Sequence, residues 1–200
     1  MFNILASIFV ILFIIYIDRK TIKKGNVFES ISNNFSLDKL FGYSLSFTFL
    51  LLFIYYLLQY LDILNVNVVF NKSIISIFFS IIISPILEEY FFRYLPYKFV
   101  KDKVNRLYLM FISTLLFTMF HSVTGIEYII VFISGILLTM IYFRSENIFY
   151  SMFSHMMYNA ILSFEYIIGI GANYKTLILY GVMFIIGVIV LLISKKTKNA

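Results

Sequence analysis

Six side chains in this sequence have the types and the spacing to do chemistry. Glu88, Glu89 and Arg93 stand in Ser84-Pro85-Ile86-Leu87-Glu88-Glu89-Tyr90-Phe91-Phe92-Arg93, His121 closes Phe117-Thr118-Met119-Phe120-His121, and His155 and Asn159 bracket Met156-Met157-Tyr158. Glu89 and Arg93 are four residues apart, so one helical face can hold them as an ion pair. Glu88 projects about 100° away round the same helix, which leaves it without a local charge partner and suits it to act as a general base. Pro85 removes one backbone hydrogen bond upstream and can kink the helix, opening room for water or substrate. His155 and Asn159 share a face, so an imidazole and an amide can meet one ligand. The chemistry within reach is proton transfer and the activation of water.

These groups must be positioned by elements that sit in lipid. The 200 residues are 62% hydrophobic and 13% charged, with a mean hydropathy of +0.95, far outside the range of a soluble domain. Apolar segments at 2–17, 40–61, 73–95, 106–121, 126–143, 147–165 and 174–193 predict seven spans. The runs are too long and too uniformly apolar for barrel strands, so the expected architecture is all-α, a polytopic transmembrane helix bundle. No internal repeat or linker divides it, and residues 1–200 read as one membrane domain. The first segment lacks a basic leader and a small-residue cleavage site, and Asp18-Arg19-Lys20 follows it directly, which predicts an uncleaved span.

The basic residues give the topology. Thirteen of the sixteen fall in alternate loops: Arg19, Lys20, Lys23, Lys24 and Lys39; Lys98, Lys101, Lys103 and Arg106; Arg144; and Lys195, Lys196 and Lys198. Only Lys72 and Lys175 lie on the other side, and Arg93 is inside a span. The expectation is an outside N-terminus and a cytoplasmic C-terminus. Because the net charge of +6 is scattered over these loops, it marks topology and no nucleic-acid surface. With no cysteine there is no disulfide, thiolate metal site or cysteine nucleophile. The Phe-, Tyr-, Ile-, Asn- and Lys-rich composition is one that accompanies AT-rich genomes, and a bacterial cell membrane is the expected location.

Bland readings exist for each polar group. Glu88, Glu89 and Arg93 would serve as a helix-packing knot, and a single histidine would serve as an interhelical hydrogen-bonding residue. Ionisable groups inside spans cost roughly 2.5 to 3.5 kcal/mol each on insertion scales, and such groups are functional by default. Two histidines and three charges in so apolar a chain therefore favour a site. Glu127, Glu146 and Glu165, at span ends, are expected to be solvated, and Tyr55-Tyr56 and Phe78-Phe79 to be lipid-facing or interfacial. His121 lies towards the outer end of its span and Glu88 deeper in its own. They meet only if the helices tilt or re-enter, or if the span ends differ from those predicted, the last being the expected cause.

Taken in order, Glu88-Glu89-x-x-x-Arg93, Phe117-x-x-x-His121 and His155-x-x-x-Asn159 resemble the three motifs of the CPBP intramembrane proteases, the CAAX-protease and bacteriocin-processing family also called Abi. The resemblance covers residues 73–165 and implies a four-helix catalytic core there. It implies an endopeptidase that cuts a membrane-associated protein or peptide within or beside the bilayer. By carry-over, Glu88 activates water, His121 holds or polarises it, Glu89 and Arg93 organise the site, and His155 with Asn159 stabilises the oxyanion. Glu88, His121 and His155 would also supply three ligands to a divalent metal such as zinc, with an open position for water. If Glu88 ligates the metal it cannot be a free base, and Glu89 must contribute more.

Two other classes compete. One is a non-catalytic bacteriocin-immunity or accessory membrane protein that keeps the motifs as scaffold. The other is a transporter or proton relay, against which stands the absence of paired discontinuous helices or repeated halves.

Overall fold

The structure is a computed structural model and describes residues 35–64, 73–100, 103–121, 123 and 125–196. Among the described residues all regular structure is helical: α1 Leu37–Tyr60, α2 Ile74–Val100, α3 Arg106–Met119, α4 Glu127–Ser145, α5 Ile148–Ile168 and α6 Tyr174–Lys196. They overlie the second to seventh expected spans, and the segment 2–17 lies outside the described residues. By length and apolarity α1, α2, α4 and α6 can each cross a membrane, so the chain is a multi-pass membrane protein. α5 has the length, 21 residues, or about 31 Å, and carries Ser151, Ser154, His155, Asn159 and Glu165.

α3 has 14 residues, about 21 Å of rise against a hydrocarbon core of about 30 Å. Asn105 caps its start by accepting from the Leu107 N–H at 2.8 Å. Its last turn closes as the Phe120 N–H reaches Leu116 O and the His121 N–H reaches Thr118 O. His121 therefore sits just past the end of a short helix, and its Nε2 lies 3.7 Å from Glu88 Oε2. The helix ends fall within two residues of those expected.

The α2 end, the α3 start and the α4–α5 turn share one face of the bundle. There Tyr97 donates to Glu146 Oε1 at 3.3 Å, and Arg106 Nη2 lies 3.0 Å from the Tyr97 hydroxyl and 3.4 Å from Glu146 Oε1. Lys98, Arg106 and Arg144 thus lie at one end of the bundle. α6 lies along α1 at very short range: a Cβ on Gly187 would come within 2.5 Å of the Ser46 nitrogen. Such closeness suits lipid, where helices associate by dispersion and polar contacts more than by a hydrophobic effect. The opposite face of α6 presents Ile178, Val182, Ile185, Ile189 and Leu192, all about half exposed, at alternating spacings of four and three that make one lipid-facing stripe.

Two expectations are corrected here. Glu165 is not a solvated end charge, and Tyr56 is not interfacial; both are about 3% exposed. Tyr56 donates to Glu165 Oε2 at 3.1 Å, and Tyr180 donates to Glu165 Oε1. The carboxylate near the end of α5 is thereby tied to α1 and α6.

α2 is interrupted twice. π-helical turns at Phe79–Ile83 and Tyr90–Tyr94 flank the α-helical Ser84–Glu89. Each π turn is followed closely by one of the chain's two prolines, Pro85 and Pro96. Proline lacks an N–H and its ring presses on the preceding turn, and widening the helix relieves the clash. The Ser84 N–H already reaches back five residues to Phe79 O, so the bond that Pro85 cannot make belongs to Ser80 O. Asn159 Nδ2 fills it at 2.9 Å. At the second turn the Leu95 N–H likewise reaches back five residues to Tyr90 O, and the Ser113 hydroxyl donates to the nearby Phe92 carbonyl. The acceptor vacated at Pro85 is thus met by a side chain of a neighbouring helix, as buried backbone groups require.

Candidate active site

The turn Ser84–Glu89 sets two adjacent carboxylates on different faces. Glu89, fully buried, receives Arg93 Nη1 at 3.0 Å and His155 Nδ1 at 3.0 Å, both on Oε1. Arg93 is itself 1% exposed and is enclosed on every side. Its guanidinium carbon lies 4.0 Å from the Phe117 ring centre. Its longer contacts run from Nη2 to Gly135 O at 3.4 Å and from Nε to Thr139 Oγ1 at 3.5 Å. A desolvated cation over an aromatic face gains up to about 2 kcal/mol. That offsets part of the cost of burying an ion pair, in which Glu89 Oε2 has no hydrogen-bond partner.

Phe117 is the hub of the second motif. It is 1% exposed, and besides carrying Arg93 on its face it packs 4.3 Å from the His121 ring and 5.9 Å from the His155 ring, centre to centre. Its carbonyl oxygen receives His121 Nδ1 at 2.7 Å. The four-residue spacing from Phe117 to His121 therefore does two jobs, since one aromatic residue orients an imidazole and covers a buried cation.

Both histidines have Nδ1 committed, one to a carbonyl and one to a carboxylate, and a ring nitrogen facing such an acceptor must carry the proton. In the neutral rings Nε2 is then a bare acceptor. His121 Nε2 lies 3.7 Å from Glu88 Oε2 and His155 Nε2 lies 3.8 Å from the same atom. Glu88 Oε1 accepts from the Ser84 hydroxyl at 2.6 Å, while Oε2 is buried and has no hydrogen-bond partner. Glu88 thus has a local partner after all, four residues back, and one oxygen facing the two imidazoles.

Of the six expected side chains, Glu88, Glu89, Arg93, His121 and His155 are linked by these contacts. Asn159 stands one turn beyond His155, and its amide is engaged with Ser80 O. Residues that sequence reasoning did not single out are Ser84, Gly135, Thr139 and Ser113. A Cβ on Gly135 would come within 2.9 Å of Thr114 Cγ2 and 3.2 Å of Phe117 Cδ1, so only glycine lets α4 approach Phe117 and Arg93 this closely. A groove of about 450 Å³ between α2 and α3 reaches Glu88. Its other walls include Phe91, Phe92, Ile112, Leu116 and Phe120, and only small polar area is present.

The metal expectation meets a geometric difficulty. Tetrahedral zinc with bonds of roughly 2.0 to 2.1 Å sets neighbouring donor atoms about 3.3 Å apart, and here they stand 3.7 and 3.8 Å apart. Among the described residues no group of three or more His, Cys, Asp or Glu is arranged to hold a metal ion.

No curated protein and no solved structure matches the chain. A family model does match, over residues 70–161, the stretch that holds all six motif positions. Residues 70–161, just under half of the chain, are similar to the Rce1-like family, described as type II CAAX prenyl endopeptidase Rce1-like.

Proposed function

We propose that this protein hydrolyses a peptide bond of a membrane-associated protein or peptide, using water activated by Glu88 and no metal. The observation that carries this reading is the single unpartnered oxygen of Glu88 facing the Nε2 atoms of two imidazoles at 3.7 and 3.8 Å. With both rings neutral, three acceptors turned on one another are unfavourable until a proton donor joins them, and a water beside the gap is within reach of Glu88 Oε2 and an Nε2 together. His121 then holds the water and Glu88 takes its proton. The oxygen of the resulting hydroxide bonds to the substrate carbonyl carbon as the C=O π pair moves onto oxygen. Collapse of that intermediate re-forms the carbonyl and breaks the C–N bond, and the Glu88 carboxyl returns its proton to the departing amine.

Glu89 has the orienting part. It fixes the His155 ring through Nδ1 and is itself fixed by Arg93. In the imidazolium form His155 would present Nε2–H to the developing oxyanion, with the Glu89 carboxylate beside it to offset the charge. Asn159 supports the same end of the site through the Ser80 carbonyl, and only its remaining N–H is left for an oxyanion. The apolar groove that ends at Glu88 suits a substrate delivered from the bilayer. The cytoplasmic placement of the C-terminus belongs to this reading too.

The test is cleavage of a prenylated CAAX peptide by the full-length protein in liposomes. Glu88→Ala, His121→Ala and His155→Ala should each lower kcat by at least about a hundredfold while the protein stays inserted. Exhaustive chelation followed by added zinc should leave the wild-type rate unchanged. Cleavage retained by Glu88→Ala would overturn the assignment, as would loss on chelation with recovery on zinc for its metal-free form. A bacteriocin-immunity phenotype that survives Glu88→Ala would point instead to a binding protein.

A further inference from the structure

The serines of this bundle set Ser84 apart. Ser80, Ser134, Ser145, Ser151, Ser154 and Ser194 all turn their hydroxyls back to a carbonyl three or four residues earlier in their own helix, the usual choice for a helical serine. Ser84 turns forward instead and donates to Glu88 Oε1 at 2.6 Å, a distance typical of a hydroxyl bonded to a charged oxygen. Of the two carbonyls within its reach, three and four residues back, the one four back is that of Ser80, and there the Asn159 amide is already seated at 2.9 Å. Pro85, which follows Ser84, is what leaves that carbonyl vacant for Asn159.

Resting on the general-base reading above, we infer that Ser84 is a positioning residue of the reaction. Its hydroxyl holds one oxygen of Glu88 so that the other faces His121 and His155, and Asn159 keeps the hydroxyl available by occupying the Ser80 carbonyl. A carboxylate on two rotatable bonds beyond its Cβ would otherwise sample rotamers in which neither oxygen meets the imidazoles. Since Oε2 has no hydrogen bond, the Ser84 contact on Oε1 selects the rotamer. The expected signature is kinetic: the hydroxyl acts on the base and touches no substrate, so its loss lowers kcat and leaves KM in place.

The experiment uses full-length protein in liposomes and a prenylated CAAX peptide as probe. Ser84→Ala should lower kcat roughly tenfold or more with KM unchanged, as expected for losing a hydrogen bond to a charged group. Ser84→Thr keeps the hydroxyl and should restore most of the rate. Asn159→Ala combined with Ser84→Ala should fall short of the product of the two single losses, because both act on one oxygen. A second measurement needs no turnover. The infrared band lost in Glu88→Gln identifies the Glu88 carboxyl group, and Ser84→Ala should move that band while Ser84→Thr does not. Wild-type kcat and an unmoved band in Ser84→Ala would overturn the inference even if Glu88→Ala is inactive. Activity in Glu88→Ala would instead overturn the reading on which it rests.

Discussion

Two carboxylates, Glu165 of α5, buried, and Glu88 of α2, half-buried, reach opposite ends. Glu165 accepts a phenol proton on each oxygen, from Tyr56 and Tyr180, and three helices close round it. Glu88 has one oxygen held by Ser84 and the other turned, without a hydrogen bond, towards two imidazole nitrogens. In the first centre donors and acceptors are matched, and an incoming molecule has nothing to add. In the second, with the imidazoles neutral, acceptors face acceptors. Burial of a carboxylate in a membrane helix therefore does not by itself mark chemistry, and the mismatch does. Glu165 is a clamp that joins α1, α5 and α6, while the Glu88 centre is built to receive a proton donor.

The strongest way to break this contrast is at Glu89, which belongs to the reactive centre and holds Arg93 and His155 on one oxygen while its other oxygen has no hydrogen-bond partner. Glu89→Ala strands Arg93, buried and unpaired, and should cost about 3 to 5 kcal/mol, seen as a large drop in Tm in detergent, together with loss of cleavage. Glu89→Leu with Arg93→Met removes both charges and should recover much of the stability. It should not recover cleavage, because His155 Nδ1 has then lost its acceptor. A double variant that both folds and cleaves would show the pair to be packing alone.

A smaller effect is expected at Gly135, which sharpens the contrast from the packing side. The added methyl of Gly135→Ala meets Thr114 and Phe117, and overpacking of this kind costs about 1 to 3 kcal/mol. The displacement passes through Phe117 to Arg93 and to the His121 carbonyl contact. Cleavage should therefore fall further than the Tm shift alone explains, whereas a variant of equal Tm loss on the α1–α6 contact, such as Gly187→Ala, should keep its kcat. Equal kcat losses in the two would remove the claim that Phe117 links the elements of the site.

How much of this was readable beforehand follows from which interactions are local. The three motifs stood out because charge and imidazole are rare in an apolar chain, and i, i+4 spacing is enough to pair Glu89 with Arg93. Six of the seven expected spans coincide with described helices to within a few residues at most ends, since long apolar runs admit little else. The approach of His121 to Glu88 was not legible from their expected depths, which set the two apart. Ser84, Gly135 and Thr139 were missed because their parts depend on a rotamer choice or on how closely α4 approaches, and neither leaves a trace in spacing. Glu165 was misread because position near a span end was taken to mean water, while Tyr56 and Tyr180, 109 residues before it and 15 after, supply its partners from two other helices. Pro85 was read correctly as a disturbance of α2, but the π turns and the side chain that meets the vacated carbonyl could not be inferred from one proline.

The smallest effect is expected from making one substitution at both carboxylates. Glu165→Gln keeps the size and one acceptor, and turns the other oxygen into a donor. A phenol that donates to Glu165 can rotate its hydroxyl and accept instead, so the clamp should lose no more than about 1 kcal/mol, with kcat and KM unchanged. Glu88→Gln is the same change in atoms, yet an amide cannot take a proton from water, and cleavage should cease with Tm nearly constant. If Glu165→Gln stopped cleavage in a bundle of unchanged Tm, the matched centre would have to be part of the proton path. Matching of donors and acceptors would then no longer separate structural from reactive carboxylates in this protein.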